Sequence, residues 1–132
     1  MDLGEQEKIL SRVEELQRRP KYLQWLFIMT NGRLLLLNAA GIIWLEAQGN
    51  YVRVHHECGL HLLRETISVL EKQLNPSKFL RIRRSTIVQI DRIRELHRRL
   101  HGNYRVTLRN GTQLILSRNY RSRFQKAVGT AL

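Results

Sequence analysis

The densest group of reactive side chains in this chain is the run Phe79-Leu80-Arg81-Ile82-Arg83-Arg84-Ser85-Thr86-Ile87-Val88. Phe79, Ile82, Ile87 and Val88 can bury, whereas Arg81, Arg83, Arg84 and Ser85 must reach water or a ligand. Guanidiniums this close repel one another, so a bound anion relieves a local cost. Their planar fork suits phosphate oxygens or the O6/N7 edge of guanine. The bland alternative is a solvated basic turn. A second segment, Ser117-Arg118-Asn119-Tyr120-Arg121-Ser122-Arg123, holds no acid and mixes hydroxyl, amide and guanidinium donors. Such donors serve phosphate and base edges alike. It follows an apolar strand pattern and can open a helix, whose first N–H groups favour anions. The alternative there is an ordinary helix start capped by Ser117 or Asn119. A third segment, Gln48-Gly49-Asn50-Tyr51, is a polar loop between apolar strands and by itself reads as a turn.

Other chemistries fit less well. His55, His56, Cys58 and His61 are ligand types that suit zinc. Adjacent strand residues point to opposite faces, however, so His55 and His56 do not readily share an ion. No second Cys or His cluster completes a zinc spacing, and no metal is expected. Nothing in the sequence beside Cys58 marks an activated thiolate. Catalysis would need carboxylates from Glu46, Glu57, Glu65 or Glu71, whose spacing is unhelpful, and there is no phosphate-binding Gly-rich loop. Neither a catalytic residue nor a cofactor is expected.

The charge that surrounds these segments is uneven. Residues 78–132 carry 14 Lys and Arg against Asp91 and Glu95, while residues 1–77 carry nine of each sign. The whole net charge of +12 therefore lies in the second half, the footprint of a polyanion partner, with nucleic acid the first candidate. At 132 residues the chain fits one domain with a short appendage. Its longest apolar runs, such as Leu34 to Leu37 and Ile42 to Leu45, fall far short of the about 20 residues of a membrane span. The N-terminus shows no signal-peptide pattern. With Cys58 alone no internal disulfide forms, and a cytoplasmic location is expected.

The elements that must position the candidate residues follow from periodicity. Ile9, Val13 and Leu16 recur at helical spacing, and Pro20 should end that helix, giving a linker-like appendage over residues 1–20. Residues 21–132 read as mainly β. Leu26 to Met29 and Leu34 to Leu37 flank Asn31-Gly32; Tyr51 to His55 and Leu60 to Leu62 flank Cys58-Gly59; Tyr104 to Leu108 and Gln113 to Leu116 flank Asn110-Gly111. Each is a hairpin pattern. Thr66 to Leu74 predicts a helix with Ser68 and Glu71 at capping-box spacing, ended by Asn75-Pro76. A last helix spans about Asn119 to Val128. Asp91 to Leu100 fits an amphipathic helix, with Ile93, Leu96 and Leu100 on one face, and a strand remains open.

Taken together the segments resemble the LytTR DNA-binding domain, the output module of many bacterial response regulators. The resemblance runs from about Tyr22 to Val128. It is carried in order by Ile43 to Val52, the helix Thr66 to Leu74, the Phe79 to Val88 run, and Asn110-Gly111 leading to Ser117-Arg118-Asn119-Tyr120. It implies small packed antiparallel sheets with one or two short helices, and strands for Ile93 to His97. It also implies loops inserted in successive major grooves of promoter direct repeats, with two protomers per site. Carried over residue by residue, base contacts fall to Asn50, Tyr51, Arg83, Arg84, Arg118 and Asn119. Phosphate contact or loop support falls to Arg53, Lys78, Arg81, Ser85, Ser117, Tyr120, Arg121 and Arg123.

Three positions depart from the family pattern: Arg83 stands where His is common, Thr86 where an aromatic is usual, and Gln89 where Asn is favoured. The receiver domain that usually accompanies this module needs roughly 120 residues and a phosphoacceptor Asp, which residues 1–19 do not supply. The reading is thus a cytoplasmic, non-catalytic regulator that binds double-stranded DNA, either the output domain of a response regulator or a stand-alone protein. An RNA-binding module and a general polyanion-binding module are the rivals. RNA readout leans on exposed stacking aromatics, and aromatics are 7% of this chain and sit mostly in apolar strands.

Overall fold

The computed structural model describes residues 3–18 and 21–132; within the first helix, side chains are described for residues 4–12. That helix, α1, spans Leu3–Arg18, with Ile9 and Leu10 exposed; Val13, Leu16 and Pro20 of the sequence argument lie outside the described side chains. The remaining chain is built from three antiparallel sheets.

A two-stranded sheet comes first, β1 (Trp25–Thr30) and β2 (Arg33–Asn38). Asn31 and Gly32, both at positive φ, make the turn that Asn-Gly favours because neither pays heavily for that conformation. The second sheet has five strands: β3 (Ile42–Gln48), β4 (Tyr51–His56), β5 (Gly59–Leu63), β6 (Phe79–Arg83) and β7 (Thr86–Gln89). Their order in space is β5-β4-β3-β7-β6. The third has β8 (Ile93–Arg98), β9 (Tyr104–Leu108) and β10 (Gln113–Leu116), ordered β10-β9-β8. Helix α2 (Ile67–Gln73) joins β5 to β6, and α3 (Arg121–Val128) ends the domain.

Alternation of side chains sends the central sheet's residues to two separate cores. Leu45, Val52, Val54 and Ile87 meet Leu26, Ile28 and Leu37 of the hairpin and Ile67, Leu70 and Leu74 of α2. On the opposite face Trp44, Ile82 and Val88 meet Tyr104, Val106, Leu108, Leu114 and Leu116 of the third sheet and Phe124 of α3. Register shifts lie between Ile42 and Trp44 in β3 and between Arg81 and Arg83 in β6. The central sheet is thus covered on both sides, which is why its strands read as near-continuous apolar runs.

The choice left open for Asp91 to Leu100 is decided by pairing with β9, which makes Ile93–Arg98 a strand, as the family resemblance implied. Two local expectations need correction. The cap of α2 is Thr66, whose hydroxyl accepts from the Val69 N–H at 3.2 Å, rather than Ser68. The β4–β5 turn is Glu57-Cys58, one residue earlier than expected, because His56 pairs with Gly59. Among the described residues no helix is long and apolar enough to cross a membrane.

Candidate nucleic-acid interface

Antiparallel pairing gathers the polar loops at one end of the sheets. The Ala47 N–H donates to the Ser85 carbonyl at 2.8 Å, so the β6–β7 loop lies beside the end of β3 and below the β3–β4 turn. The Ser117 N–H donates to the Ile82 carbonyl at 2.8 Å, which sets the β10–α3 junction against the same loop. Pairing of Tyr104 with Leu116 brings the β8–β9 connection to that end as well.

In the β3–β4 turn Gly49 takes a positive φ, and Asn50 and Tyr51 are exposed. Arg53, two residues on, pairs across the strands with Glu46 at 3.3 Å. In the β6–β7 loop Arg83 and Arg84 are exposed, and neither guanidinium has a hydrogen bond or ion pair among the described residues. Arg81 is different. It is largely buried, reaches Glu71 Oε1 at 3.2 Å and Ser68 Oγ at 3.3 Å, and donates through Nε and Nη2 to the carbonyl of Arg84. It holds the loop from within. Ser85 is half-buried against Thr86.

At the β10–α3 junction Arg118 and Asn119 are exposed, and Ser117 makes no side-chain cap. The Arg118 N–H donates to Asn103 Oδ1 at 2.9 Å, and its stem lies against Gly102, where a β-carbon would come within 3.2 Å. Gly102 also has φ +79, so this close approach needs glycine twice over. His101, Asn103, Ser117, Arg118 and Asn119 line a shallow cleft of about 320 Å³. Sequence reasoning missed His101 and Asn103; the turn-forming Gly102-Asn103 pair was the only signal.

The remaining expected residues have partners within the protein. The Tyr120 ring carries Arg123 at 5.0 Å, and Arg123 also lies 3.9 Å from Glu71. Arg121 turns inward, over the Tyr104 ring and onto the Leu132 carbonyl at 2.6 Å. Lys78 precedes β6, where it pairs with Asp91 at 3.8 Å, so a whole strand separates it from the Arg83-Arg84 loop. The structure does not bring it to the others.

His55 and His56 serve the fold. His55 stacks on Trp44 at 3.8 Å with planes 5° apart. Burial holds its pKa below the usual value, with nearby Glu46 opposing and Arg53 reinforcing that shift. His56 donates from Nε2 to the Asn38 carbonyl at 2.9 Å and accepts from the Cys58 N–H at Nδ1. Among the described residues no cluster of three or more His, Cys, Asp or Glu could hold a metal ion.

Comparison with known proteins gives the family and the fold. Residues 32–129 match the model of the LytTr DNA-binding domain. The chain is similar to the CO-responsive transcriptional regulator RcoM of Rhodospirillum rubrum, 39% identical over 66 residues, covering 50% of this chain and 28% of that protein. It is similar to the transcriptional regulatory protein LytR of Staphylococcus aureus, 26% identical over 106 residues, 80% of this chain and 43% of that one. The chain therefore spans less than half the length of these curated relatives. In fold it is similar to a LytTr DNA-binding domain of a Bacillus cereus response regulator, with TM-score 0.74 and 22% identity over 81% of this chain and 98% of that one.

Proposed function

Because the chain belongs to the LytTr DNA-binding domain family, we propose that it binds promoter DNA by sequence and regulates transcription, with its loops in successive major grooves. The observation that carries this reading is the set of exposed guanidiniums of Arg83, Arg84 and Arg118 on adjoining loops, with Arg83 and Arg84 free of internal partners among the described residues. A surface that only had to stay soluble would not need Arg81 and Asn103 to hold those loops from beneath.

Arg84 and Arg118 take base edges, together with Asn50 or Tyr51, Arg83 and Asn119. Ser85, Ser117, Tyr120, Arg123 and, beside its pair with Glu46, Arg53 steady the loops and meet phosphates. Arg81 and Arg121, both turned inward, support rather than grip. Residues 21–132 are the DNA-binding unit and residues 1–20 a linker toward a further domain, such as a receiver. Two protomers occupy paired direct repeats. The domain works in the cytoplasm, without catalysis or cofactor.

Selection from random duplex DNA at about 150 mM salt, where non-specific phosphate binding is weakened, tests the reading. A recurring motif, repeated in tandem, is the expected result. Retention of DNA with no enriched motif would sink it in favour of a general polyanion-binding surface.

A further inference from the structure

The outer face of the β1–β2 hairpin is apolar, and DNA binding makes no use of it. Trp25, Phe27 and Met29 on β1 and Leu34 and Leu36 on β2 are between 44% and 70% exposed. Phe27 lies opposite Leu36 and Met29 opposite Leu34, so the five side chains form one patch. Beneath it Leu26, Ile28 and Leu37 already fill the first core. A hairpin that only covered a core would carry polar residues in its outward phase.

We propose that this face is the surface on which two copies of the chain pair in the absence of DNA. With about 200 Å² for each free side chain and the exposures above, the patch presents roughly 550 Å². That lies near the top of the range for a monomer's largest apolar patch. Two copies would together bury about 1,100 Å², just above the threshold for a specific interface of about 1,000 Å². Charge selects the occupant. The five residues offer nothing to a charged partner, and residues 1–77 are neutral, whereas residues 78–132 carry the whole +12. Two copies repel through their basic halves and can meet only through the neutral one. An apolar patch is also its own complement, which a two-fold contact requires.

None of the five residues belongs to the loops that carry Arg83, Arg84 and Arg118, so pairing uses none of the residues proposed to read DNA. A two-fold pair relates its two reading ends by rotation and does not place both on tandem half-sites. Hairpin pairing is therefore a contact of DNA-free chains, separate from the contact between neighbours on a direct repeat.

Sedimentation equilibrium of the full chain tests this without DNA. The expected result is a monomer–dimer equilibrium with Kd of about 10–100 μM, the weak end for such an area. It should tighten from about 0.05 to 0.5 M salt as charge repulsion is screened. Phe27→Glu and, separately, Leu36→Lys should raise Kd at least about tenfold, that is by ~1.4 kcal/mol. Circular dichroism confirms that each variant folds, and binding to a single half-site should be unchanged in both. A chain that stays monomeric throughout the range would overturn the proposal. So would a dimer that survives both hairpin variants but is lost in Ile9→Glu/Leu10→Glu, which would place the contact on α1. Loss of DNA sequence preference would leave this test untouched.

Discussion

Replacing Arg81 by Met removes a guanidinium from the base of the β6–β7 loop while keeping the apolar stem. The side chain is 12% exposed and joins three partners: the Arg84 carbonyl, Glu71 and Ser68. A hydrogen bond from a charged donor contributes about 1.5–3 kcal/mol. The Glu71 pair adds less than about 1 kcal/mol, since its carboxylate is partly in water. A loss of roughly 2–3 kcal/mol is expected, lowering Tm by roughly 10 °C. On DNA, a loosened Arg84 should cost about tenfold in affinity, or ~1.4 kcal/mol, with preference relaxed at the base pair that Arg84 reads. The slope of log affinity against log salt should stay constant, because no phosphate contact is removed. Arg81→Lys should not rescue, since an ammonium lacks the fork that bridges two acceptors. Thermal melts by circular dichroism and fluorescence anisotropy across a salt series measure both quantities. An unchanged Tm together with a slope shallower by about 0.9 would mean that Arg81 holds a phosphate, and the internal-support argument would fail.

Arg84→Ala and Arg118→Ala should each cost about 1–3 kcal/mol and relax preference locally, whereas Arg123→Ala should weaken all sequences alike; competition with single-base variants of the selected site separates the two behaviours. Asn103→Ala removes the acceptor of the Arg118 N–H and should cost about 1 kcal/mol, with preference lost at the Arg118 base pair; loss of affinity spread evenly over all positions would refute its positioning role. His55 is held neutral by burial, so its folded-state pKa lies below the unfolded one near 6.5. The unfolded chain then takes up more protons, and stability falls as pH drops below about 6.5. Urea melts between about pH 7 and 5 should show this decline, and a His55→Phe variant should lack that part of it; an identical decline in the variant would show that another group titrates.

Much of the fold could be read locally, because each hairpin carries its own turn chemistry. Asn31-Gly32 forms a turn wherever it sits between strands. The pattern from Asp91 to Leu100 fitted two periods, and pairing with β9 decided it. Ser68 and Glu71 had capping-box spacing, yet Glu71 turns to Arg81 and Arg123 instead; a local preference yielded to a tertiary ion pair. The site divides similarly. Arg83, Arg84 and Arg118 interrupt apolar strands and so mark loops in the sequence itself. Whether an arginine points outward or, like Arg81 and Arg121, inward depends on what docks beside it. Lys78 seemed near the cluster because it is near in sequence, but β6 carries it to the far end. Asn103 lies 15 residues from Arg118, and only the β9–β10 register joins them. The four leucines of β2 hid which phase is exposed, since both are apolar.

The departure at Gln89 shows how the far end of the sheet sets the reading end. Its Nε2 donates to the carbonyls of Ala40 at 2.9 Å and Ile42 at 3.1 Å, and its Oε1 accepts from Arg92 Nε at 3.0 Å. Arg92 in turn reaches the Ala40 carbonyl and Glu57. One buried amide thus ties the end of β7 to the start of β3 and, through Arg92, to the β4–β5 turn. Asparagine, one methylene shorter, would have to give up part of that span. The tie matters because β7 pairs with β3 through only Trp44–Val88, Leu45–Ile87 and Glu46–Thr86. A slip of one residue would send Ile87 toward the second core and Val88 toward the first, and would shift the Arg83-Arg84 loop along β3. Each lost amide bond in this buried place costs about 0.5–1.5 kcal/mol, and the Ala40 carbonyl then keeps only its bond from Arg92. The register that presents Arg84 is therefore fixed at the opposite end of the strand, by a polar knot formed by Gln89, Arg92 and Glu57.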